Sequence, residues 1–231
     1  MGPECYSGQQ IIKLSKIIKL SLKGGVSTVS YCSDLTRQRI MACAKEEFLQ
    51  VGFQAAQLQN IVKAANVTTG ALYRHFKNKE DLFDAIVGPI LQKFKVLEDE
   101  ICKRNYSLMD NDALKKMWNI TDEFHTGWID FFYDNYDDMR LLLCCSEGTK
   151  HTTFIHDFAE LNTQLTMTFV NEAKQRGLAV SVIDSEKLHI LMTAYWSAMF
   201  ETIIHGFTKE DALSFVVDIE AFFNWEAIFG F

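Results

Sequence analysis

The stretch that decides the fold is RQRIMACAKEEFLQVGFQAAQLQNIVKAANVTTGALYRHFKNKEDLFDAIV, residues 37–87. Its apolar residues recur at steps of three and four, the spacing that places them on one face of an α-helix. Residues that favour turns interrupt this pattern three times. The stretch therefore predicts three short helices and the start of a fourth.

The first two predicted helices each have one continuous apolar face. In the first, this face consists of Ile40, Cys43, Ala44, Phe48 and Val51. Gly52 ends the helix, because glycine takes positive φ without steric cost. In the second helix the inner face consists of Leu58, Ile61, Val62 and Ala65.

The residues between the second and third helices favour a sharp turn followed by a new helix. Asn66 tolerates a left-handed conformation, so it permits a sharp turn. Val67 can anchor this turn in the core, and Thr68 can cap the next helix. Helix, short turn and short helix form a helix-turn-helix arrangement. Asn78 is a further capping residue, which starts the fourth helix.

The third helix is too short to be a core element and has two unlike faces. Leu72 and Phe76 lie on one face and are predicted to pack inward. The other face carries small, hydroxylated and basic side chains: Thr69, Gly70, Tyr73 and Arg74. The N-terminus of such a helix offers free N–H groups and a positive dipole end, which favour a phosphate. This surface suits insertion into a DNA groove.

About fifty residues of the stretch 37–87 resemble, without a gap, the TetR/AcrR family of bacterial transcriptional regulators. The matching positions are Phe48, Gly52-Phe53, Ile61, Ala64-Ala65, Val67-Thr68, Gly70, Leu72-Tyr73, His75-Phe76 and Lys79-Glu80-Asp81-Leu82. Three positions depart from the family pattern: Ala56 replaces a capping Thr, Val62 an Ala and Asn66 a Gly. The resemblance implies an all-α homodimer, with an N-terminal DNA-binding domain and a larger C-terminal domain that binds an effector and dimerises.

The expected DNA contacts lie on and beside the third helix. The complete set is Thr68, Thr69, Gly70, Ala71, Tyr73, Arg74, His75 and Lys79. The resemblance implies that Tyr73, His75 and Lys79 touch the phosphate backbone, which fixes register without reading sequence. Gly70 and Ala71 allow close approach to the groove. Thr69, Ala71 and Arg74 are the candidates for base edges, since an Arg fork can read guanine and a methyl group can touch thymine.

Charge is distributed unevenly along the 231 residues, whose net charge is −7. Residues 1–87 contain 11 Lys and Arg against 7 Asp and Glu, a net charge of +4, whereas residues 88–231 contain 12 against 23, a net of −11. A basic end can approach phosphates while an acidic body is repelled by them. We expect an extension at 1–33, a helix-turn-helix DNA-binding domain at 34–87 and an effector and dimerisation domain at 88–231.

The extension contains IIKLSKIIKLSLK, residues 11–23, which reads as a basic amphipathic helix. Such a helix can lie on a membrane or on DNA phosphates, and it can equally be a disordered tail. No apolar run reaches membrane-spanning length, and no secretory signal is present. A cytoplasmic protein is therefore expected.

The resemblance implies that the last two helices, at 186–206 and 209–230, pair with their two-fold mates. The candidate dimer residues are Leu188, Met192, Met199, Ile203, Val216 and Phe223. Aromatic residues are dense between 112 and 176, where they can line an apolar effector cavity. The candidate pocket residues are Phe124, His125, Trp128, Phe132, Phe158, Tyr195 and Met199. Gly88-Pro89 is expected to bend the fourth helix between the domains.

The six cysteines show no CxxC pair and no zinc spacing, so free thiols are expected. Cys144-Cys145 are either small apolar residues on a buried helix or a thiol sensor, which needs exposure and a lowered pKa. His125, Glu147, His151 and His156 can be polar anchors or metal ligands, although no ligand spacing favours a metal. The sequence contains no nucleotide-binding glycine motif, nucleophile elbow or HExxH, so neither a cofactor nor a catalytic residue is assigned.

These patterns predict a ligand-responsive regulator that binds a palindromic double-stranded DNA operator as a homodimer. Repression released by a small apolar or amphipathic effector is the expected mode, since a protein covering a promoter blocks polymerase. The alternative is a helical dimer that acts through a protein partner or a membrane surface, with DNA binding secondary. Operator and effector are not readable from the sequence.

Overall fold

The structure is a computed structural model that describes the backbone of residues 28–102, 108–116, 122–178 and 183–230. These ranges contain eleven helices and no strand, which confirms the all-α prediction. The helices are α1 Thr28–Ala55, α2 Leu58–Ala64, α3 Thr69–His75, α4 Lys79–Cys102, α5 Asn111–Lys116, α6 Asp122–Asp134, α7 Tyr136–Cys144, α8 Phe154–Gln175, α9 Ser185–Ile204, α10 Lys209–Phe222 and α11 Trp225–Phe229.

The described residues form two compact units. The first unit contains residues 28–95 and also 135–153, and the second contains the rest of the described chain. The predicted boundary between 87 and 88 falls inside α4, which is helical through Pro89 and contributes its last residues to the second unit. The domain division at 33/34 and 87/88 stays a prediction.

Helix α1 begins at Thr28, within the segment expected to be an extension, and the basic residues 11–23 lie outside the described part. Ile40, Ala44 and Phe48 are fully buried on its predicted inner face. Gly52 interrupts the helix with a φ of 76°, as expected. The prediction was wrong for Val51, which is 48% exposed because the interruption at Gly52 follows it directly.

Three phenylalanines form the centre of the first unit. The ring centroids of Phe48 and Phe83 are 5.2 Å apart, and those of Phe53 and Phe83 are 5.4 Å apart, both with edge-to-face geometry. Edge-to-face aromatic pairs are favoured by the quadrupoles of the rings. The cluster joins α1, the turn after Gly52 and α4, so these elements share one aromatic core.

Residues 135–153, which we call the clamp segment, pack on this body. Lys45 of α1 donates to Asp138 at 2.6 Å, and the Phe53 N–H donates to the Cys145 carbonyl at 2.9 Å. Lys93 of α4 donates to Asn135. Sequence reasoning placed this segment in the C-terminal domain, since contacts across 42 to 93 residues leave no local pattern.

The loop of the clamp segment reaches α4 through a carboxylate. Asp84 accepts from Lys150 at 2.5 Å and lies 2.7 Å from the His151 ring nitrogen. The partial burial of Asp84 acts to raise its pKa, but the hydrogen bonds from Lys150 and His151 outweigh burial and hold the pKa below its ordinary value. The ionised form is therefore the one that the fold stabilises.

The second unit is organised around α8 and α9, which pack along each other, and α10, which contacts α6 and α9. Trp128, Phe158 and Trp196 form a buried aromatic cluster, with centroids of Phe158 and Trp196 4.8 Å apart. The helix expected at 209–230 is interrupted after Phe222, and Asn224 caps the short α11 through the Ala227 N–H.

The pH dependence of stability tests the Asp84 contact. Because the folded pKa is depressed, its stabilisation is present above the unfolded pKa of about 3.9 and is lost as pH falls through the folded pKa. We expect Asp84→Asn to lower the melting temperature at pH 7 by ~3 °C, from a contribution of about 1 kcal/mol for a partly exposed pair. The difference from the wild type should shrink towards pH 3 in thermal melts followed by circular dichroism.

The matched control is Asp137→Asn, which removes an exposed carboxylate of α7 in the same unit. Equal effects of the two substitutions at pH 7, or an Asp84→Asn difference that persists at pH 3, would contradict the assignment.

Candidate nucleic-acid interface

The start of α2 is stabilised from a distance. Gln57 is its N-cap residue and makes no side-chain cap, and Ala56, where the family has a capping Thr, has no side-chain oxygen. Glu47 of α1 takes over part of this role: its carboxylate accepts from the Gln57 N–H at 3.2 Å and from the Asn60 amide at 2.9 Å. An anion near a helix N-terminus is favoured by the helix dipole.

The turn between α2 and α3 has the predicted conformation. Asn66 has a φ of 50°, the only positive value among non-glycine residues in the described chain. The Val67 N–H then returns to the Val62 carbonyl at 3.0 Å, and Thr68 caps α3 by accepting the Ala71 N–H at 3.1 Å. Val67 itself is only half-buried. These bonds fix the angle at which α3 leaves the turn.

Helix α3 has one buried face and one open face. Leu72 and Phe76 are buried, as predicted from the spacing. The open face exposes Thr68, Thr69, Gly70 and Arg74, and Tyr73 is 52% exposed, which is high for a tyrosine that could have packed in the core. Ala71 and His75 flank this face and are half-buried. The first unit therefore presents seven of the eight expected DNA-contacting residues together on α3 and its cap.

The eighth residue, Lys79, has a different environment. Its ammonium donates to the carbonyls of Gln54 and Ala56 at 3.0 Å each and lies 4.6 Å from the centroid of the Phe53 ring. It thus holds the turn between α1 and α2 while occupying the first position of α4. Sequence reasoning missed this role because the partners are backbone groups more than twenty residues away. The two carbonyls use two of the three N–H groups of this ammonium. Contact between the third N–H and a DNA phosphate stays a proposal.

The fourth helix starts with reciprocal capping. Asn78 accepts the Asp81 N–H at 2.7 Å, and Asp81 accepts the Lys77 N–H at 2.9 Å. Each side chain satisfies one donor that the helix end would otherwise leave open. The capping role predicted for Asn78 is confirmed, and the connection between α3 and α4 is fixed at two points.

The expected pocket residues belong to the second unit. His125, Trp128, Phe132, Phe158, Tyr195 and Met199 are all buried there, and the side chain of Phe124 lies outside the described part. His125 is paired with Glu220. Burial raises the pKa of the Tyr195 hydroxyl strongly, with the nearby Glu220 charge adding to it, so this phenol stays neutral. Their role as effector contacts stays a prediction.

The expected dimer residues lie in the core of the single chain. Leu188, Met192, Met199, Ile203, Val216 and Phe223 are all buried there. Their contact with a second copy stays a prediction. The apolar faces of these helices are wide. Periodicity does not show which part of each face packs in the core of its own chain. The exposed apolar residues of α9 and α10 are instead Ile190, Ile204, Val217 and Phe222.

Cys144 and Cys145, the pair considered as a thiol sensor, have different environments. Cys144 is exposed and Cys145 is buried, and burial, with the Cys144 thiol adding, raises the pKa of Cys145. A raised pKa disfavours the thiolate that a sensor needs. Within the described ranges, no three His, Cys, Asp or Glu residues are placed to hold a metal ion. None of the helices in those ranges has the length and apolarity to cross a membrane.

An all-α protein with a helix-turn-helix unit at its N-terminal side is the class that this fold and surface define. The model of the family described as "Bacterial regulatory proteins, tetR family" matches residues 40–86. The helix-turn-helix part of the chain is thus similar to that of TetR/AcrR-family regulators.

Curated relatives resemble the chain over its helix-turn-helix part. It is 35% identical over 75 residues to the HTH-type transcriptional regulator YhgD of Bacillus subtilis, over 32% of this chain and 39% of that protein. It is 51% identical over 51 residues to AcrR of Shigella flexneri, over 22% and 24%, and 42% identical over 53 residues to the repressor BepR of Brucella suis, over 23% and 25%. The matches thus span about two fifths or less of these relatives.

Solved structures resemble a longer part of the fold. NalD, the secondary repressor of the MexAB-OprM multidrug efflux pump in Pseudomonas aeruginosa, has a TM-score of 0.56 at 18% identity, over 82% of this chain and 95% of NalD. The TetR-family regulator PfmR of Thermus thermophilus has a TM-score of 0.51 at 17% identity, over 78% and 96%. At these identities the likeness concerns the fold alone.

The substitution Lys79→Met tests the structural role of the ammonium, since it keeps the apolar stem and removes the donor. We expect a loss of about 1 kcal/mol in the free energy of unfolding, because two carbonyls lose a charged partner. The measurement is urea unfolding of the full chain at pH 7. Lys77→Met is the control, since Lys77 is exposed and its side chain makes no bond to described residues. Equal midpoints for the Lys79→Met variant and the wild type would contradict the role.

Proposed function

We propose that the protein is a transcriptional regulator that binds a double-stranded DNA operator through the open face of α3. The observation that carries this proposal is the exposed set Thr69, Gly70, Tyr73 and Arg74 on a helix that is anchored by buried Leu72 and Phe76. A face of this kind has the size and the donors that the major groove accepts.

The chemistry of the open face divides into positioning and reading. Hydroxyl groups of Thr68, Thr69 and Tyr73 can donate to phosphate oxygens, and the first N–H groups of α3 favour an anion. Arg74 is exposed and has no carboxylate partner in the described structure. Its guanidinium is free to form the two-pronged contact with guanine that is the commonest specific contact to DNA.

A dimer is part of the proposal, because a seven-residue helix reads only a few base pairs. The exposed apolar residues of α9 and α10 provide a candidate surface: Val217 is 61% exposed and Phe222 is 81% exposed. Contiguous exposed apolar surface marks association sites in soluble proteins, and these two side chains are candidates for contributing to such a surface. Two copies related by a two-fold axis would present two α3 helices to the halves of a palindrome.

Repression is the proposed mode of action. It is supported by the names of the relatives, since BepR is called a transcriptional repressor and NalD a secondary repressor. A protein bound across a promoter excludes polymerase without needing any further activity. Cytoplasmic residence follows from this role and is part of the same proposal.

Response to a small apolar or amphipathic effector completes the proposal. The buried aromatic groups of the second unit are the candidate lining of an apolar effector site, and the clamp segment is joined to that unit at both of its ends, residues 134–135 and 153–154. An effector that alters the second unit would act on the clamp and so on α1 and α4. The effector can weaken DNA binding only to the extent that its affinity is higher for the conformation that cannot bind the operator than for the one that can.

Selection of bound sequences from a random pool of DNA duplexes tests the function. We expect enrichment of a palindrome, with two half-sites separated by a spacing that the dimer sets. With the Arg74→Ala variant, one base position of each half-site should no longer be selected. The variant should bind the duplex selected by the wild type with a binding free energy weaker by about 1–3 kcal/mol per site.

The control for the selection is Lys187→Ala, which removes an exposed cation of the second unit. It should leave the selected sequence unchanged. A pool that shows no enrichment, or an Arg74→Ala variant that enriches the same palindrome with the same affinity, would contradict the proposed function of α3.

A further inference from the structure

Several cations of the first unit are engaged within the protein. Lys45 and Lys150 are paired with the carboxylates of Asp138 and Asp84, and Lys79 and Lys93 donate to neutral oxygens. These contacts stabilise the unit and hold the four ammonium groups in place. Cations of this unit whose donors are left open in the described structure are therefore the ones to consider as further DNA contacts.

Arg37 differs from the other unengaged cations because its position is fixed. Its guanidinium carbon lies 5.0 Å from the centroid of the Phe76 ring, and one of its nitrogens donates to the Met41 sulfur at 3.1 Å. Sulfur is a weak acceptor, and an aromatic face binds a guanidinium without using its in-plane N–H groups. Arg37 is exposed, so these remaining donors face solvent.

The ring that holds Arg37 belongs to the end of α3. Phe76 directly follows His75, the last residue of that helix, and is 2% exposed. Its buried ring is therefore a rigid base on which the guanidinium rests. Arg37 comes from the first turns of α1, yet its charge is held beside the C-terminal end of α3, where Arg74 and His75 also lie.

We propose that Arg37 is a DNA phosphate contact, placed by its stacking on Phe76. This inference rests on the proposed function and adds α1 to the surface that meets the duplex. A guanidinium stacked on a ring keeps a fixed orientation, which lowers the entropy lost when it binds a phosphate in two-pronged fashion. Because it touches the backbone, Arg37 contributes to affinity for every sequence and reads none.

A purely structural role for Arg37 makes a different prediction. An arginine that only covers Phe76 would change the melting temperature when it is removed, and the salt dependence of DNA binding would stay the same. The slope of log K against log salt counts the phosphates neutralised, at about 0.9 per contact. The slope therefore separates the two roles.

The test measures the affinity of the full chain for a fluorescein-labelled duplex taken from the selected pool, and for a scrambled duplex of equal length, between 50 and 200 mM salt. For Arg37→Ala we expect a slope that is smaller by about 0.9 per α3 helix bound, for both duplexes. The ratio of wild-type to variant affinity should accordingly narrow by roughly 3.5-fold per helix across this range, since 4 to the power 0.9 is about 3.5.

Two further variants make the test specific. Arg39→Ala removes an exposed cation of α1 that contacts no ring or carboxylate among the described residues, and it should change the slope less. Arg37→Lys keeps the charge and loses the planar fork, so it should keep most of the slope and bind both duplexes more weakly than the wild type.

Arg37→Ala with a wild-type slope, or with the same change in slope as Arg39→Ala, would overturn the inference while leaving DNA binding by α3 intact. A wild-type protein that binds neither duplex in a salt-dependent way would instead overturn the proposed function itself. Melting curves of each variant show that the compared proteins are folded.

Discussion

The burial of Leu72 and Phe76 is the interaction on which the interface depends. An isolated helix of seven residues is not stable in water, because helix nucleation costs more than so few hydrogen bonds return. Helix α3 exists because these two side chains are anchored in the core of the first unit and Thr68 caps its start. The same anchoring determines which face remains open, so the core and the candidate reading surface are set by one packing arrangement.

The clamp segment combines buried and polar contacts in the same way. Its helix α7 buries Met139, Leu141 and Leu142, while Asp138 and Lys150 form ion pairs with α1 and α4. Partly exposed ion pairs are individually weak, so the buried apolar side chains contribute most of the free energy that holds the segment in place. The ion pairs add specificity by fixing which residues of α1 and α4 the segment faces.

Local chemistry made part of this structure predictable. Gly52, Asn66, Thr68 and Asn78 act through bonds or dihedral angles within a few residues of themselves, so the sequence shows their roles directly. Leu72 and Phe76 follow from helical spacing, and the open face of α3 follows from them. The family resemblance extends over the same residues, which is why the two lines of reasoning agree there.

Long-range contacts were not predictable, for a physical reason. The cap from Glu47, the carbonyls bound by Lys79 and the ring beneath Arg37 each join residues that local periodicity treats as independent. The same limit explains the dimer residues, because an apolar helix face indicates burial and does not indicate whether the same chain or a second copy provides it. Leu188 and Val216 prove to be buried by their own chain.

The most direct test of the central claim is photo-cross-linking from α3 itself. With benzoylphenylalanine in place of Tyr73, irradiation in the presence of a selected duplex should give a covalent protein–DNA product, because this side chain is exposed on the face that we propose meets the groove. The same group in place of Leu108, which is exposed in the second unit, should give none. A protein that binds the duplex but cross-links from position 108 and not from position 73 would contradict the account.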